Sequence, residues 1–270
     1  MLLEFTKMNG AGNDFVLVDD RAQTLKLDRA RVARLCDRHA GVGADGLIVL
    51  KPSPSARADW AWDFYNSDGS EAEMCGNGAR CFARFVQRLT GAKNDITFET
   101  RAGVVSASFQ GERVTVGLTP PKDLRLSQTL SLGAGPITLH SVDTGVPHAV
   151  VFVPDADQAM VLTLGAEIRR HPHFAPRGTN VNFVQLGGGA DPISVRTFER
   201  GVEGETLACG TGVTASALVC AQLRGLPSPV RVRVRGGDVL EVSFEKQQGL
   251  FTHVRLTGPA DFVFDGKISL

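Results

Sequence analysis

Apolar and polar residues alternate over Asp59–Tyr65 and again over Ile193–Phe198, a period of two that predicts strands. Each stretch runs into a turn rich in Gly, Asp and Glu, and then into a helical run, Ala79–Thr90 in the first case and Val213–Arg224 in the second. Gly91 and Gly225 follow as C-terminal stops. The second helix is apolar nearly all round (Ala215, Ala217, Leu218, Val219, Cys220, Ala221, Leu223), which predicts that other structure encloses it. Beyond each helix come paired strands about an Arg-x-Gly turn: Asp95–Thr100 with Val104–Phe109, and Val230–Val234 with Val239–Phe244. Further helices are expected near Asp28–His39 and Ala156–Arg170, and a terminal strand over Phe262–Ile268.

The parallel order reflects a repeat. Glu71-Ala-Glu-Met-Cys75-Gly76-Asn77-Gly78 and Glu205-Thr-Leu-Ala-Cys209-Gly210-Thr211-Gly212 both read E-x-x-x-C-G-x-G, with cysteines 75 and 209 lying 134 positions apart. The same offset pairs Phe64 with Phe198, Arg101 with Arg235, Gly103 with Gly237 and Val105 with Val239, and it lays Phe15–Val18 over Ala149–Phe152. One offset serving from residue 15 to residue 239 indicates a tandem duplication. The expected fold is α+β: two pseudo-symmetric domains, each a curved, mixed sheet wrapped about one buried helix. The boundary is expected in the turn-rich Thr119–Gly135 region, giving domains 1–125 and 126–270, with the terminal strand, about 260–270, free to pack on the first.

Composition narrows the function. Of 270 residues 43% are hydrophobic, enough for two cores, and 29 basic side chains balance 29 acidic ones. That balance argues against a nucleic-acid partner, which calls for a basic stripe. No apolar run approaches the roughly 20 residues that span a bilayer, and the opening MLLEFTKMNG lacks a signal-peptide layout. Five cysteines are too sparse for a disulfide scaffold, so a reducing cytoplasm is expected. Two segments match dinucleotide fingerprints, Gly41-Val-Gly43-Ala-Asp-Gly46 and Gly210-Thr-Gly212-Val-Thr-Ala215. Neither has the required strand before it and helix after it. The cysteine spacings do not follow zinc-site patterns, and no metal is expected.

Cys36, Cys81 and Cys220 sit in helical runs among apolar neighbours and read as small core residues. Cys75 and Cys209 differ, since each directly precedes a helix start followed by glycines. A helix N-terminus carries roughly half a positive charge. It can lower a thiol pKa from about 8.5 to as little as ~3.5–7.5, and its N–H groups suit a ligand carboxylate. Two equivalent thiols suit a reaction whose two sides are mirror images, such as inversion of a stereocentre. A thiolate removes a proton from one face of a carbon while a thiol returns one to the other, with the carbanion stabilised through its carboxylate. A cysteine-nucleophile hydrolase or acyltransferase using His148, and a duplicated binding protein without chemistry, are the alternatives.

The residues Lys7-Met-Asn-Gly-Ala-Gly-Asn-Asp-Phe15, Tyr65-Asn-Ser-Asp-Gly-Ser70, Met74-Cys-Gly-Asn-Gly-Ala-Arg80, Pro147-His148, Gly178-Thr-Asn-Val-Asn182, Phe198-Glu-Arg-Gly-Val-Glu-Gly-Glu-Thr206 and Ala208-Cys-Gly-Thr-Gly212 carry a resemblance along the whole chain. It resembles the diaminopimelate epimerases, cofactor-independent isomerases that interconvert LL- and meso-2,6-diaminopimelate in lysine and peptidoglycan-precursor biosynthesis. Related proline racemases typically have Gly-His after the first cysteine, where this chain has Gly76-Asn77.

The resemblance implies Cys75 and Cys209 as the acid–base pair, and backbone N–H groups at Gly76, Asn77, Gly210 and Thr211 as the carboxylate cradle. It further implies Asn13, Asn66, Asn182, Glu199 and Arg200 around the distal amino-acid end, with His148 and Glu199 tuning the thiols. No cofactor and no metal are implied. The partners implied are a small-molecule substrate and, as a homodimer, a second copy of the chain. Two positions depart from the family pattern: Val146 where Asn is frequent, and Gly46 where some members have Gln.

Overall fold

The computed structural model describes residues 2–188 and 191–270. Two units result: Met1–Gly117 with Gly258–Leu270, and Leu118–Thr257. In the first, the chain runs β1 (Leu2–Gly10), β2 (Asn13–Asp19), α1 (Arg29–Cys36), β3 (Gly46–Pro52), β4 (Trp60–Asn66), α2 (Gly76–Thr90), β5 (Ile96–Thr100), β6 (Gly103–Gln110) and β7 (Arg113–Gly117). Pairing is antiparallel for β1–β2, parallel for β2–β3, antiparallel for β3–β4, parallel for β4–β5, and antiparallel through β5, β6 and β7.

Strand alternation sorts the core of this unit into two faces. Val16, Val18, Leu47 and Val49 cluster with Val32 and Leu35 of α1. Phe15 and Ile48 turn the other way and lie against Gly78 in the first turn of α2. Phe82 of α2 packs its ring 5.6 Å from Trp62 and 4.7 Å from Phe98. Burying side chains of this size stabilises by roughly 1.5–3 kcal/mol each.

The second unit repeats the plan with β8 (Lys122–Leu132), β9 (Gly135–Asp143), β10 (Pro147–Phe152), α3 (Val161–Arg170), β11 (Asn180–Gln185), β12 (Ile193–Glu199), β13 (Gly204–Thr206), α4 (Gly210–Arg224), β14 (Val230–Val234), β15 (Val239–Gln247) and β16 (Leu250–Pro259). The pairing senses recur in order: β9–β10 antiparallel, β10–β11 parallel, β11–β12 antiparallel, β12–β14 parallel, β14–β15 antiparallel. Helices α2 and α4 start and stop at residues related by the 134-residue offset, each ended by a left-handed glycine, Gly91 or Gly225. As expected from its all-round apolar surface, α4 is enclosed: Val213, Ala215, Ala217, Leu218, Val219 and Cys220 are all buried.

The last strand, β17 (Asp261–Ser269), pairs antiparallel with β1, as β8 pairs with β9. The outer strand of the first unit therefore comes from the far end of the chain, which is why that unit is discontinuous. Among the described residues no helix is long and apolar enough to cross a membrane.

Helices α2 and α4 begin at Gly76 and Gly210, three residues before the expected Ala79 and Val213, and three further boundaries differ from expectation. The Thr119–Gly135 segment is not a turn-rich linker, because β8 occupies most of it and pairs with β9 from Lys122↔Asp143 to Leu132↔Gly135. Irregular register and positive φ at Asp123 and Ser127 break its alternation, so no period of two shows in the sequence. The unit boundary accordingly falls before β8 at 117/118, not at 125/126. Helix α1 stops at Cys36 rather than His39, because the Asp37 carboxylate turns to accept from the His39 and Ala40 N–H groups. Helix α3 starts at Val161, not Ala156, after a turn in which Ala159 N–H donates to the Ala156 carbonyl.

Candidate active site

Cys75 is the N-cap of α2. Its backbone is extended (φ −145°, ψ 121°), its carbonyl accepts from Ala79 N–H, and its Sγ accepts from Gly78 N–H at 3.4 Å. Cys209 is the N-cap of α4 with a similar backbone, φ −120° and ψ 107°, and its carbonyl accepts from Val213 N–H; its Sγ makes no cap bond and lies 3.5 Å from Thr211 Oγ1. Neither helix carries an acidic residue in its first turn, so the positive end of each dipole stays available to an anion. The acids four residues upstream are tied off in matching fashion, Glu71 to Arg101 at 2.6 Å and Glu205 to Arg235 at 3.6 Å. These pairs join the two halves of the repeated motif, the stretch before the cysteine and the Arg-x-Gly turn.

The other three thiols are core groups. Cys36, Cys81 and Cys220 are buried, and burial pushes each up to about 12.

In the first unit a buried polar chain fixes the start of α2. Arg80, fully buried, donates to the carbonyls of Pro259 (3.1 Å) and Gly76 (3.3 Å) and to Asn77 Oδ1 (2.9 Å). Asn77 Nδ2 donates to Asn13 Oδ1 at 2.6 Å, and Asn13 Nδ2 donates to Asp45 at 3.0 Å. Asp45 shares Arg38 with Asp14, and Asp14 also pairs with the buried Lys7 at 2.7 Å. Burial alone would raise the Asp14 carboxyl, but hydrogen bonds from Arg38 and Lys7 outweigh it and hold it down at about 2.

Asn66 ends β4 opposite Gly46, and β3 carries that residue beside Phe15, so Asn13 and Asn66 lie at one end of the sheet. The Asn66 carboxamide donates to Ser70 Oγ at 3.0 Å. Gly46 leaves no room for a side chain: a Cβ there would lie 2.7 Å from the Tyr65 carbonyl oxygen and 2.9 Å from the Phe64 ring.

In the second unit His148, Asn180 and Glu199 end up on neighbouring strands. His148 pairs with Asn180 in the β10–β11 register, and Glu199 ends β12, which runs alongside β11. Asn180 Oδ1 accepts from Arg200 N–H at 2.8 Å while its Nδ2 donates to the Pro147 carbonyl at 3.1 Å, so one side chain ties the start of β10 to the residue that follows β12. This residue was not singled out from the sequence; the only signal was that Asn180 and Asn182, two apart on a strand, share a face. Glu199 accepts from Thr206 Oγ1 at 2.9 Å, and the half-exposed Arg200 guanidinium forms no ion pair with the described residues.

Asn182, expected at the distal end of a ligand, has a fully buried side chain whose hydrogen bonds are made inside the unit. Nδ2 donates to the Ala149 carbonyl (2.9 Å) and meets His148 Nδ1 (3.1 Å), while Oδ1 accepts from Thr197 Oγ1 (2.9 Å). The motif does not distinguish the two asparagines, because both are buried and only tertiary packing decides which groups each one bonds.

His148 is 1% exposed. Burial, and secondarily the nearby Arg200 charge, push its imidazole down to about 3, so the ring is neutral at pH 7. An unfolded chain takes up a proton on this ring below about pH 6.5, whereas the folded one refuses it down to about pH 3. Folding stability attributable to His148 therefore falls as pH drops through that window, by up to about 1.4 kcal/mol per pH unit. Urea melts between pH 4 and 6.5 should show a shallower slope for His148→Gln than for the parent; equal slopes would contradict the buried neutral ring.

Comparison with known proteins agrees with this architecture. The family model described as diaminopimelate epimerase matches residues 5–123 and 140–263. The diaminopimelate epimerase of Aquifex aeolicus is 46% identical over 99% of this chain and 98% of its own length. That of an Azoarcus species is 44% identical over 100% of both. Among solved structures, a hydroxyproline epimerase from Agrobacterium vitis shares the fold, with a TM-score of 0.73 at 17% identity over 100% of this chain and 93% of that one. Matched along almost its whole length, the chain belongs to the diaminopimelate epimerase family.

Proposed function

We propose that this chain interconverts LL- and meso-2,6-diaminopimelate by moving protons between the substrate α-carbon and two thiols, Cys75 and Cys209. Family membership supports the reaction and substrate. The observation that carries the mechanism is the repetition of a cysteine N-cap on two equivalent helices, Gly76–Thr90 and Gly210–Arg224. In the forward direction one cysteine, as thiolate, takes the α-proton and becomes a thiol. The other, as thiol, gives its proton to the opposite face and becomes the thiolate. The electron pair left on carbon is delocalised into the substrate carboxylate, which backbone N–H groups of Gly76, Asn77, Gly210 and Thr211 hold. Donors aimed at developing charge are worth about 10²–10³-fold each. Reversal exchanges the two roles.

At the distal end, Glu199 and the amide oxygens of Asn13 and Asn66 suit the ammonium group. Arg200 suits the carboxylate, with two parallel hydrogen bonds. His148 and Glu199 tune the thiols. The same reading takes the enzyme to be a cytoplasmic homodimer that needs no cofactor and no nucleic-acid or membrane partner.

The test is incubation with LL-diaminopimelate and, separately, with L-proline in deuterated water, followed by chiral chromatography and mass spectrometry. Formation of meso-diaminopimelate with α-deuterium, and unchanged proline, is the expected result. Exchange on proline alone would transfer the reading to a racemase of another amino acid. A trappable acyl-enzyme on one cysteine would favour a hydrolase.

A further inference from the structure

We propose that Asn182 is a positioning residue, whose carboxamide fixes His148 as the tautomer with its proton on Nε2. The duplication makes the choice of residue informative. The 134-residue offset sets Asn182 opposite Ile48, an apolar core residue lying against Gly78 of α2. In the second unit the corresponding contact is polar: a Cβ on Gly212 of α4 would fall 2.3 Å from Asn182 Oδ1. One half of the repeat thus fills this position with hydrocarbon and the other with a fully buried amide. Burying an amide costs free energy unless its hydrogen bonds are made, so core packing alone gives no reason for the exchange.

The hydrogen bonds supply the reason. Thr197 Oγ1 donates to Oδ1 and the Ala149 carbonyl accepts from Nδ2, which together fix which end of the amide is nitrogen. The second Nδ2 hydrogen then points at His148 Nδ1, 3.1 Å away, and that ring nitrogen must accept it. A neutral imidazole that accepts at Nδ1 carries its proton at Nε2. Nε2 is buried and has no hydrogen-bond partner among the described residues. Held this way, the ring donates one hydrogen bond from Nε2 and accepts none there. It serves an anion in the site, a thiolate or a carboxylate, as a donor and not as a base. This last step rests on the placement of His148 in the site proposed above; the tautomer itself does not.

The experiment is nitrogen NMR of the full chain labelled with 15N-histidine, assigned through His148→Gln, together with steady-state kinetics of Asn182→Ala and Thr197→Val. In the parent at neutral pH, the expected signature is a pyridine-like Nδ1 and a pyrrole-like Nε2. A proton on Nδ1 in the parent overturns the proposal without recourse to any variant. In Asn182→Ala the two tautomers should mix, with kcat down about 10-fold and KM little changed. Thr197→Val should give a weaker shift in the same sense. A raised KM with kcat and tautomer unchanged would mean that Asn182 contacts substrate, and would overturn the positioning role. Should the chain not epimerise diaminopimelate at all, the spectrum still decides the tautomer.

Discussion

Alanine in place of Cys75 should stop epimerisation in both directions, and alanine in place of Cys209 should do the same, each with an expected loss of about 10³-fold or more in kcat. The size follows from the role: general acid–base groups contribute about 10²–10⁴-fold, and with two thiols working in series neither substitutes for the other. Both variants should stay folded. The capping bond lost with Cys75 is a weak Sγ contact to Gly78 N–H at 3.4 Å, and Cys209 makes no side-chain cap bond. Losing one weak cap costs about 1 kcal/mol or less. Cys36→Ala and Cys220→Ala serve as comparisons, because both thiols are buried in apolar surroundings outside the proposed chemistry. Chiral chromatography of both reaction directions decides the matter. A Cys75 or Cys209 variant that keeps most of its activity would rule out the two-thiol scheme, and one essential cysteine alone would restore the nucleophile reading.

Replacing Arg80 with methionine should cost the most stability of any single change discussed. The guanidinium is fully buried and satisfies two backbone carbonyls and the Asn77 side chain. Methionine fills much of the volume but leaves those acceptors without that donor. Buried groups so stranded cost about 1–3 kcal/mol each, and partial relaxation brings the expected total to roughly 3–5 kcal/mol. Calorimetry should show a melting temperature lower by on the order of 10 °C. Activity should fall as well, since Asn77 loses one of the bonds that hold the first turn of α2. The exposed Arg57 gives the contrast, as its methionine variant should melt with the parent. Arg80→Met melting within about 2 °C of the parent would refute the clamp.

Much of the fold was legible because the chain states it twice. Neither E-x-x-x-C-G-x-G segment alone proves a domain, but a shared offset fixes equivalent helices, and α2 and α4 begin and end on it. The enclosure of α4 was readable from Ala215 to Leu223, since an all-round apolar helix has no face to give to water. Strand β8 was not readable, because irregular register and left-handed residues at Asp123 and Ser127 erase its alternation. Arg80 and Lys7 were equally opaque: a charged residue reads as exposed unless its partners are known, and each has one that lies far away in sequence, Pro259 for Arg80 and Gly43 for Lys7. The cysteines stood out because they recur at motif positions. Asn180 and Asn182 are both buried, and only their hydrogen-bond partners tell them apart: Arg200 N–H and the Pro147 carbonyl for one, Thr197, Ala149 and His148 for the other.

The most direct test of two thiols sharing one carbon is an early-turnover isotope measurement. Enzyme equilibrated in deuterated water is mixed with LL-diaminopimelate bearing protium at both α-carbons, and the reaction is stopped before ten per cent conversion, about. Two bases predict that every meso molecule carries one α-deuterium, drawn from the donating thiol, while recovered LL substrate carries essentially none. Meso product that retains its original α-protium would mean that one group carried the hydrogen from face to face, and the paired-cysteine account would be wrong.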